Sequence, residues 1–541
     1  MENKEQIFLR IKNFRSFEDV NIELKPLNLL FGPNGSGKSS LIKAIKFLSH
    51  NLFKLDDDGF YMGFKPETYK YFLDKNTDLL SFEEIVRNND TKNVITFEIK
   101  IINTSLYYHL DEFLNIKLLK DSLNDFNVND TKTLNESEIT DIKLIFEIFI
   151  DDKFNEKIAI TICDLKDNFE YKFYPNSRKF KNGQQLIDCT ISINENDPYK
   201  EFIESFLEGL DCLPFISSEN RINAFNNNAG DFIKLIKNIQ NKVPNNEQLN
   251  LFKQILRTYF KIFYDIPNKL RDHFFNITHL PPIREIPSPV FLLNNGKFKQ
   301  EAYYGIPGLF AKDNGVHHVA DLDEVSDENN SLVEEDATGK IQIKIDFGRL
   351  VSYPELIIKI LSKLKLSKGI TVSKDKEKIA GWIDYTSFDG KNTNNLAEAS
   401  SGLLQILPII TTLVQRNDAQ GQKIKIIEQP ELHLHPKLQA ALANFFTSKN
   451  VLSDNLIVET HSEHLIRKIQ VLVAQANKEK GHENLRKKVG VYYFSKDEKT
   501  GITSIKKMEF EDNGFFKEPW PDGFFDDSYN LARELIFARK N

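Results

Sequence analysis

Gly32-Pro33-Asn34-Gly35-Ser36-Gly37-Lys38-Ser39 have the residue types and spacing to hold a polyphosphate. Glycines at 32, 35 and 37 let the backbone wrap an anion, so that successive amides and the N-terminus of a following helix face it. Lys38 then supplies a point charge for the β and γ phosphates, and the Ser39 hydroxyl a ligand for Mg²⁺. Asn34, Gly35, Ser36, Gly37 and Ser40 complete the cradle. A glycine-rich turn that binds nothing is the alternative. The apolar run before this loop and the helical period after it favour a nucleotide loop.

A second group of chemical residues lies far along the chain. Lys423 to Glu428 (KIKIIE) is a short apolar strand ending in a carboxylate, the place where such an enzyme puts the group that holds Mg²⁺ directly or through water. Glu428 takes that role, beside Ser39, and Gln429, Pro430 and Glu431 follow it. Leu456 to Glu459 is another short strand, ending in Thr460-His461-Ser462, where His461 is placed to sense a γ phosphate. Ser401 and Gly402 sit in a small polar turn opening an apolar helix; alone, this turn reads more readily as an ordinary helix cap. His433 and His435 alternate beside the acid, and their i, i+2 spacing without a further ligand favours a loop contact over a metal site.

These residues need elements to carry them. Ile7 to Leu24 alternates apolar and polar residues as strand, turn, strand, and Leu27 to Phe31 reads as a buried strand feeding the loop. Leu41, Ala44, Ile45 and Leu48 recur at helical intervals after it. Residues 51–390 form a middle with strand-like pieces, such as Val94 to Ile102 and Lys143 to Ile150, mixed with helical ones; it shows no repeat and no sustained heptads. Asp321 to Asp336 reads as an acidic surface loop, and Lys359 to Lys376 as a locally basic, solvated face. Val489 to Phe494 reads as a strand, followed by a hairpin around Asp497 to Gly501 and a closing helix.

With 541 residues the chain has room for two or three domains, and 40% hydrophobic with 28% charged residues is a globular composition. A net charge of −7 and a pI near 6.0 argue against a surface that binds polyanions throughout. Cys163, Cys189 and Cys212 show neither metal-ligand pairing nor a disulfide framework. The start of the sequence lacks an apolar signal region, and Leu403 to Val414 is too short to span a bilayer, so the expectation is a cytoplasmic protein without a membrane anchor.

The order of these motifs resembles ABC-class ATPases, and most of all the overcoming-lysogenization-defect (OLD) group. Asn13-Phe14-Arg15-Ser16-Phe17 resembles their opening strands, and Glu428 to Pro436 (EQPELHLHP) their acidic strand and dimer-facing D-loop. Pro281-Pro282-Ile283-Arg284-Glu285 and Trp520-Pro521-Asp522-Gly523-Phe524-Phe525-Asp526 resemble one branch of that group. The resemblance implies an α/β fold: an ABC-type P-loop head, a mixed sheet flanked by helices, built from 1–50 and 391–541, with a large α+β insertion at 51–390. It implies ATP and Mg²⁺ as cofactors, and a homodimer or higher oligomer in which Ser401 and Gly402 of one copy close over the γ phosphate bound by the other. Arg15 and Arg284 are candidates for contacts to nucleotide or partner, against a surface salt bridge as the commoner use.

The sequence departs from that family where ABC enzymes place a catalytic glutamate, because Gln429 stands there. A glutamine can orient water but is a poor general base. Either Glu431 takes the role or hydrolysis is slow. The segment after Ser462 lacks the Glu-Gly motif and Asp-x-Asp pair of the OLD nuclease domain, so any nuclease is expected on another chain. That pattern resembles two-gene anti-phage modules such as Septu, whose ATPase works beside an HNH endonuclease, or PARIS. An SMC-like DNA repair or chromosome-maintenance ATPase is the alternative, with nucleic acid as its ligand. The spacing of Lys38 and Gly402 is far longer than a transporter module uses.

Overall fold

In the computed structural model of the protein, the described residues are 5–52, 55–56, 59–60, 85–108, 136–150, 156–166, 169–181, 184–192, isolated positions between 200 and 261, 265–274, 276–294, 304, 306, 333–335, 341–343, 353–414, 423–448, 452, 455–476 and 485–521. Most of the acidic stretch Asp321 to Asp336, the closing helix and Asp522 to Asp526 lie outside them.

The elements that position the site are, in chain order, β1 (Gln6–Phe14), β2 (Phe17–Leu24), β3 (Leu27–Phe31), α1 (Lys38–Leu52), β4 (Ile95–Tyr108), β5 (Glu136–Ile150), β6 (Glu156–Asp164), β7 (Phe169–Lys181), β8 (Gln184–Ser192), β9 (Asn276–Leu280), α2 (Ser401–Val414), β10 (Lys423–Glu428), α3 (Pro436–Phe446), β11 (Asn455–Glu459), α4 (Glu463–Ala476), β12 (Val489–Lys496) and β13 (Thr503–Lys507). They fall into two compact units. One comprises residues 1–24, 39–276 and 495–505, and the other 25–38, 277–494 and 506–541. The sequence-based division at 50 and 390 cuts the chain at different places.

The first unit is built on a seven-stranded sheet in the order β8-β7-β6-β5-β4-β1-β2, whose neighbours pair antiparallel. Alternation explains its start: Ile7, Leu9 and Ile11 of β1 are buried while the residues between them are not. Phe14, Phe47, Phe97 and Phe146 meet in its core at ring separations of 5.4 to 6.4 Å.

The second unit carries a six-stranded sheet in the order β9-β10-β11-β3-β12-β13. β10, β11, β3 and β12 run parallel to one another. A parallel sheet is covered on both faces, so its strands are buried along most of their length. β3 and β11 are buried at every position. The apolar segment Leu403 to Val414 is the buried body of α2 and joins the main hydrophobic core. Lys425, buried within β10, donates its ammonium proton to the Leu413 carbonyl near the C-terminus of α2, where the helix dipole favours a cation. A small antiparallel sheet pairs Gly369–Lys374, Ala380–Thr386, Thr393–Asn395 and Phe291–Leu292. In the basic segment, Lys359, Lys363, Lys365 and Lys368 are at least partly exposed. No described helix is long and apolar enough to cross a membrane.

Candidate nucleotide site

β3 ends at Phe31 and the chain turns at once into Gly32, whose φ is 141°. A Cβ there would lie 2.2 Å from the carbonyl oxygen of Phe494 on β12, so only glycine lets the loop leave between these strands. Gly35 and Gly37 have φ of 75° and 107°. Lys38, 3% exposed, folds back into the loop: its ammonium donates to the carbonyls of Gly32 at 2.9 Å and Pro33 at 2.8 Å. It stands 3.9 Å from Glu459 Oε1. Burial lowers the Lys38 pKa, and the Glu459 charge works against that shift.

Three parallel strands end together here. Glu428 is in register with Glu459 across β10 and β11, and Glu459 with Leu30 of β3. His279, on β9, donates from Nε2 to Glu428 Oε1 at 2.5 Å. The next residue, Gln429, takes a left-handed φ of 44° and donates its N–H to the Glu459 carbonyl at 2.7 Å, which fastens the two strand ends. Glu431 then reaches the end of β11: Oε1 accepts the His461 N–H at 2.5 Å, and Oε2 accepts the Thr460 hydroxyl at 2.9 Å. Burial pushes the Glu431 pKa up, while those hydrogen bonds and the charge of Arg284 pull it down. His461 has its Nε2 buried without a hydrogen-bond partner among the described residues. Burial, and then the Lys38 charge, lower its pKa, so the ring is neutral at neutral pH.

The polar turn opening α2 is capped by Ser400, whose Oγ accepts the Leu403 N–H at 3.4 Å. Ser401 is exposed and Gly402 half-buried. A Cβ on Gly402 would meet Leu434 Cδ2 at 3.8 Å and the His433 carbonyl oxygen at 3.9 Å, so the loop after Glu428 lies against this turn within one chain. His433 has a left-handed φ of 59°. His435 caps α3, its Nδ1 accepting the Lys437 N–H at 3.3 Å, which accounts for it without a metal. Among the described residues no group of three His, Cys, Asp or Glu side chains is poised to hold an ion.

The second unit therefore brings Lys38, Glu428, Gln429, Glu431 and His461 to one end of its sheet. Ser39 and Ser40 follow Lys38 along α1, and Ser39 is exposed. Asn34 and Gly35 are exposed at the loop tip, and Ser36 is buried. The glycine cradle, the buried ammonium, the acid beside it and the unpartnered imidazole nitrogen fit a Mg²⁺-bound nucleoside triphosphate. Arg15 is an exposed residue of the β1–β2 turn, with φ of 54°. Arg284 corrects the expectation of a surface salt bridge. It is 3% exposed and donates to Gln405 Oε1 at 2.7 Å and to the Glu428 carbonyl at 2.9 Å. Glu459 and His279 are site residues that sequence reasoning missed. The strand end at Glu459 offered a signal, since it repeats the position of Glu428; His279 offered none. Trp520 packs on Phe31 at 5.8 Å and on Phe516 at 5.0 Å, which places that part of the C-terminal motif behind the loop.

Comparison with known proteins finds partial relatives and family matches. Endonuclease GajA of Bacillus cereus (strain VD045) is 35% identical over 92 residues, covering 16% of this chain and 15% of that protein. OLD nuclease of Thermus scotoductus (strain ATCC 700910 / SA-01) is 49% identical over 37 residues, 7% of either chain. The alignments thus span a small part of these relatives' length. Among solved structures, an SMC head domain from Thermotoga maritima aligns over 93% of this chain and 98% of its own at 10% identity, with a TM-score of 0.30, a likeness too loose to bear on function. Residues 486–535 match a family described as a protein of unknown function (DUF3696). The family model described as AAA ATPase domain matches residues 7–466, most of the chain, and the protein belongs to that family.

Proposed function

We propose that this protein is an ATP-dependent dimerising switch: it binds and hydrolyses ATP, and controls a separate effector nuclease of the HNH kind in a bacterial anti-phage defence complex. The observation that carries the ATP reading is the convergence of Lys38, Glu428 and the unpartnered Nε2 of His461 at one end of a parallel sheet. Lys38 exchanges the loop carbonyls for phosphate oxygens, a stronger, charge-assisted contact. Ser39 and Glu428 are the residues that would hold Mg²⁺, which neutralises phosphate charge when bound. His461 Nε2 donates to the terminal phosphate, and Glu431 holds the His461 backbone in place for it. Gln429, with an amide where a carboxylate would be the base, orients water and leaves turnover slow.

Dimerisation is supported by the exposed Ser401 at the start of α2, a helix N-terminus open to a phosphate carried by a second copy. The link to a nuclease is supported by the partial matches to Endonuclease GajA and OLD nuclease. Gly402→Glu places a negative charge in that turn. It is expected to leave ATP binding intact and to abolish ATP-dependent dimerisation in sedimentation velocity; a fully active monomer would overturn the reading. In turnover assays Gln429→Glu speeds hydrolysis if the glutamine limits it, and Glu431→Gln slows it if Glu431 is the base. An HNH nuclease that copurifies only with the ATP-bound form supports defence. ATPase activity stimulated by DNA in the absence of any nuclease partner supports instead the repair or chromosome-maintenance alternative.

A further inference from the structure

We propose that Arg284 and His279 are positioning residues that tie the Mg²⁺-holding acid to the turn that closes on a second copy's nucleotide, so that the two ATP sites of a dimer communicate. This rests on the dimer reading above. Glu428 is gripped twice by one short segment. His279 donates to its carboxylate at 2.5 Å, and Arg284 to its main-chain carbonyl at 2.9 Å. Pro281 and Pro282 lie between the two donors, and fixed proline φ angles make the connection stiff. The same guanidinium donates to Gln405 Oε1 at 2.7 Å. Gln405 lies four residues after Ser401 in α2, one helical turn on, and so on the same side of the helix.

Arg284 is 3% exposed, and its position fits a linkage: a shift of α2 on engagement with a partner's phosphate pulls on Gln405, then Arg284, then the end of β10. The carboxylate of Glu428, anchored by His279 on the neighbouring strand, is reoriented as its backbone moves. Glu431 belongs to the same neighbourhood, since the Arg284 charge favours its ionised form.

The test compares the wild type with Arg284→Lys, Gln405→Leu, the double variant, Gln405→Glu and His279→Gln in the full chain. Two readouts are taken: binding of a fluorescent ATP analogue titrated with Mg²⁺, and steady-state ATP hydrolysis against ATP concentration. Arg284→Lys and Gln405→Leu should each keep analogue binding within about twofold at saturating Mg²⁺ and cut kcat about tenfold, with the Hill coefficient falling toward one. The double variant should be no worse than Arg284→Lys alone, because both break one linkage. Gln405→Glu, which still accepts from the guanidinium, should restore cooperative kinetics. His279→Gln should raise the Mg²⁺ needed for half-maximal analogue binding about tenfold. An unchanged Hill coefficient in Gln405→Leu, or multiplicative losses in the double variant, would overturn the proposal. A wild type that binds the analogue but neither dimerises nor turns over would defeat the switch reading by itself. The linkage is then judged on the Mg²⁺ titration, where independent effects of Arg284→Lys and Gln405→Leu sink it.

Discussion

The Nε2 of His461 is buried with no hydrogen-bond partner among the described residues, and its ring stands close enough to Lys38 to feel that charge. Both effects lower its pKa below the ordinary 6.5. The unfolded chain therefore takes up the proton first, and stability is lost as pH falls from 6.5 through the depressed folded value. Glu431 acts with the opposite sign: its raised pKa contributes stability below 4.5 that is lost as pH rises through the folded value. His461→Gln should accordingly show a smaller drop in urea midpoint between pH 7 and pH 5.5 than the wild type, with Glu431→Gln as the background that removes the second titration; equal drops would refute the assignment. The legibility of these residues in the sequence follows from chemistry at fixed spacing. Gly32 to Ser39 announce themselves because one loop needs all of them in a row. His279 and Arg284 do not, because their partners Glu428 and Gln405 are 149 and 121 residues away along the chain, and nothing local constrains either of them.

Elements were legible where their burial imposes a period. The alternation of β1 and the mostly apolar, wholly buried runs of β3 and β11 are consequences of one-sided and two-sided burial, and each can be read from the residues. The antiparallel strands β4 to β8 were glimpsed only in part, because their register depends on non-local pairing that no single segment encodes. A tight element contact gives a direct test. Gly514 has φ of 84°, and a Cβ there would stand 2.2 Å from the Gln470 carbonyl oxygen and 2.9 Å from Ala474 Cβ, both on α4. Gly514→Ala should cost about 2–4 kcal/mol in urea denaturation, the range of a severe backbone and packing clash. At Gly35, with φ of 75° and nothing within 4 Å of an added methyl, alanine should cost only about 1 kcal/mol of conformational strain.

On the scale of the whole chain, each unit has its own sheet and its own apolar interior, and a chain of this size with two cores is not expected to melt in one step. Lys38, Glu428 and His461 all belong to the unit made of residues 25–38, 277–494 and 506–541. Calorimetry should resolve two transitions, of which one moves up with Mg²⁺ and ATP. At ligand concentrations about 100 times Kd the added stability is about 2.7 kcal/mol. Lys38→Ala should abolish the shift, and a shift retained in that variant would contradict the role given to Lys38.

The register that sets Glu428 beside Glu459 also brings two carboxylates together. Two carboxylates end neighbouring strands where, among the described residues of the loop, Lys38 supplies the opposing sign. A bare triphosphate arriving there brings more negative charge beside these carboxylates, and inside a protein that repulsion is screened far less than in bulk water. That repulsion makes the divalent ion a condition of entry for the nucleotide, with ion and nucleotide taken up as one. Chelation of Mg²⁺ should therefore expel bound nucleotide outright, and Glu459→Gln should let the metal-free nucleotide in.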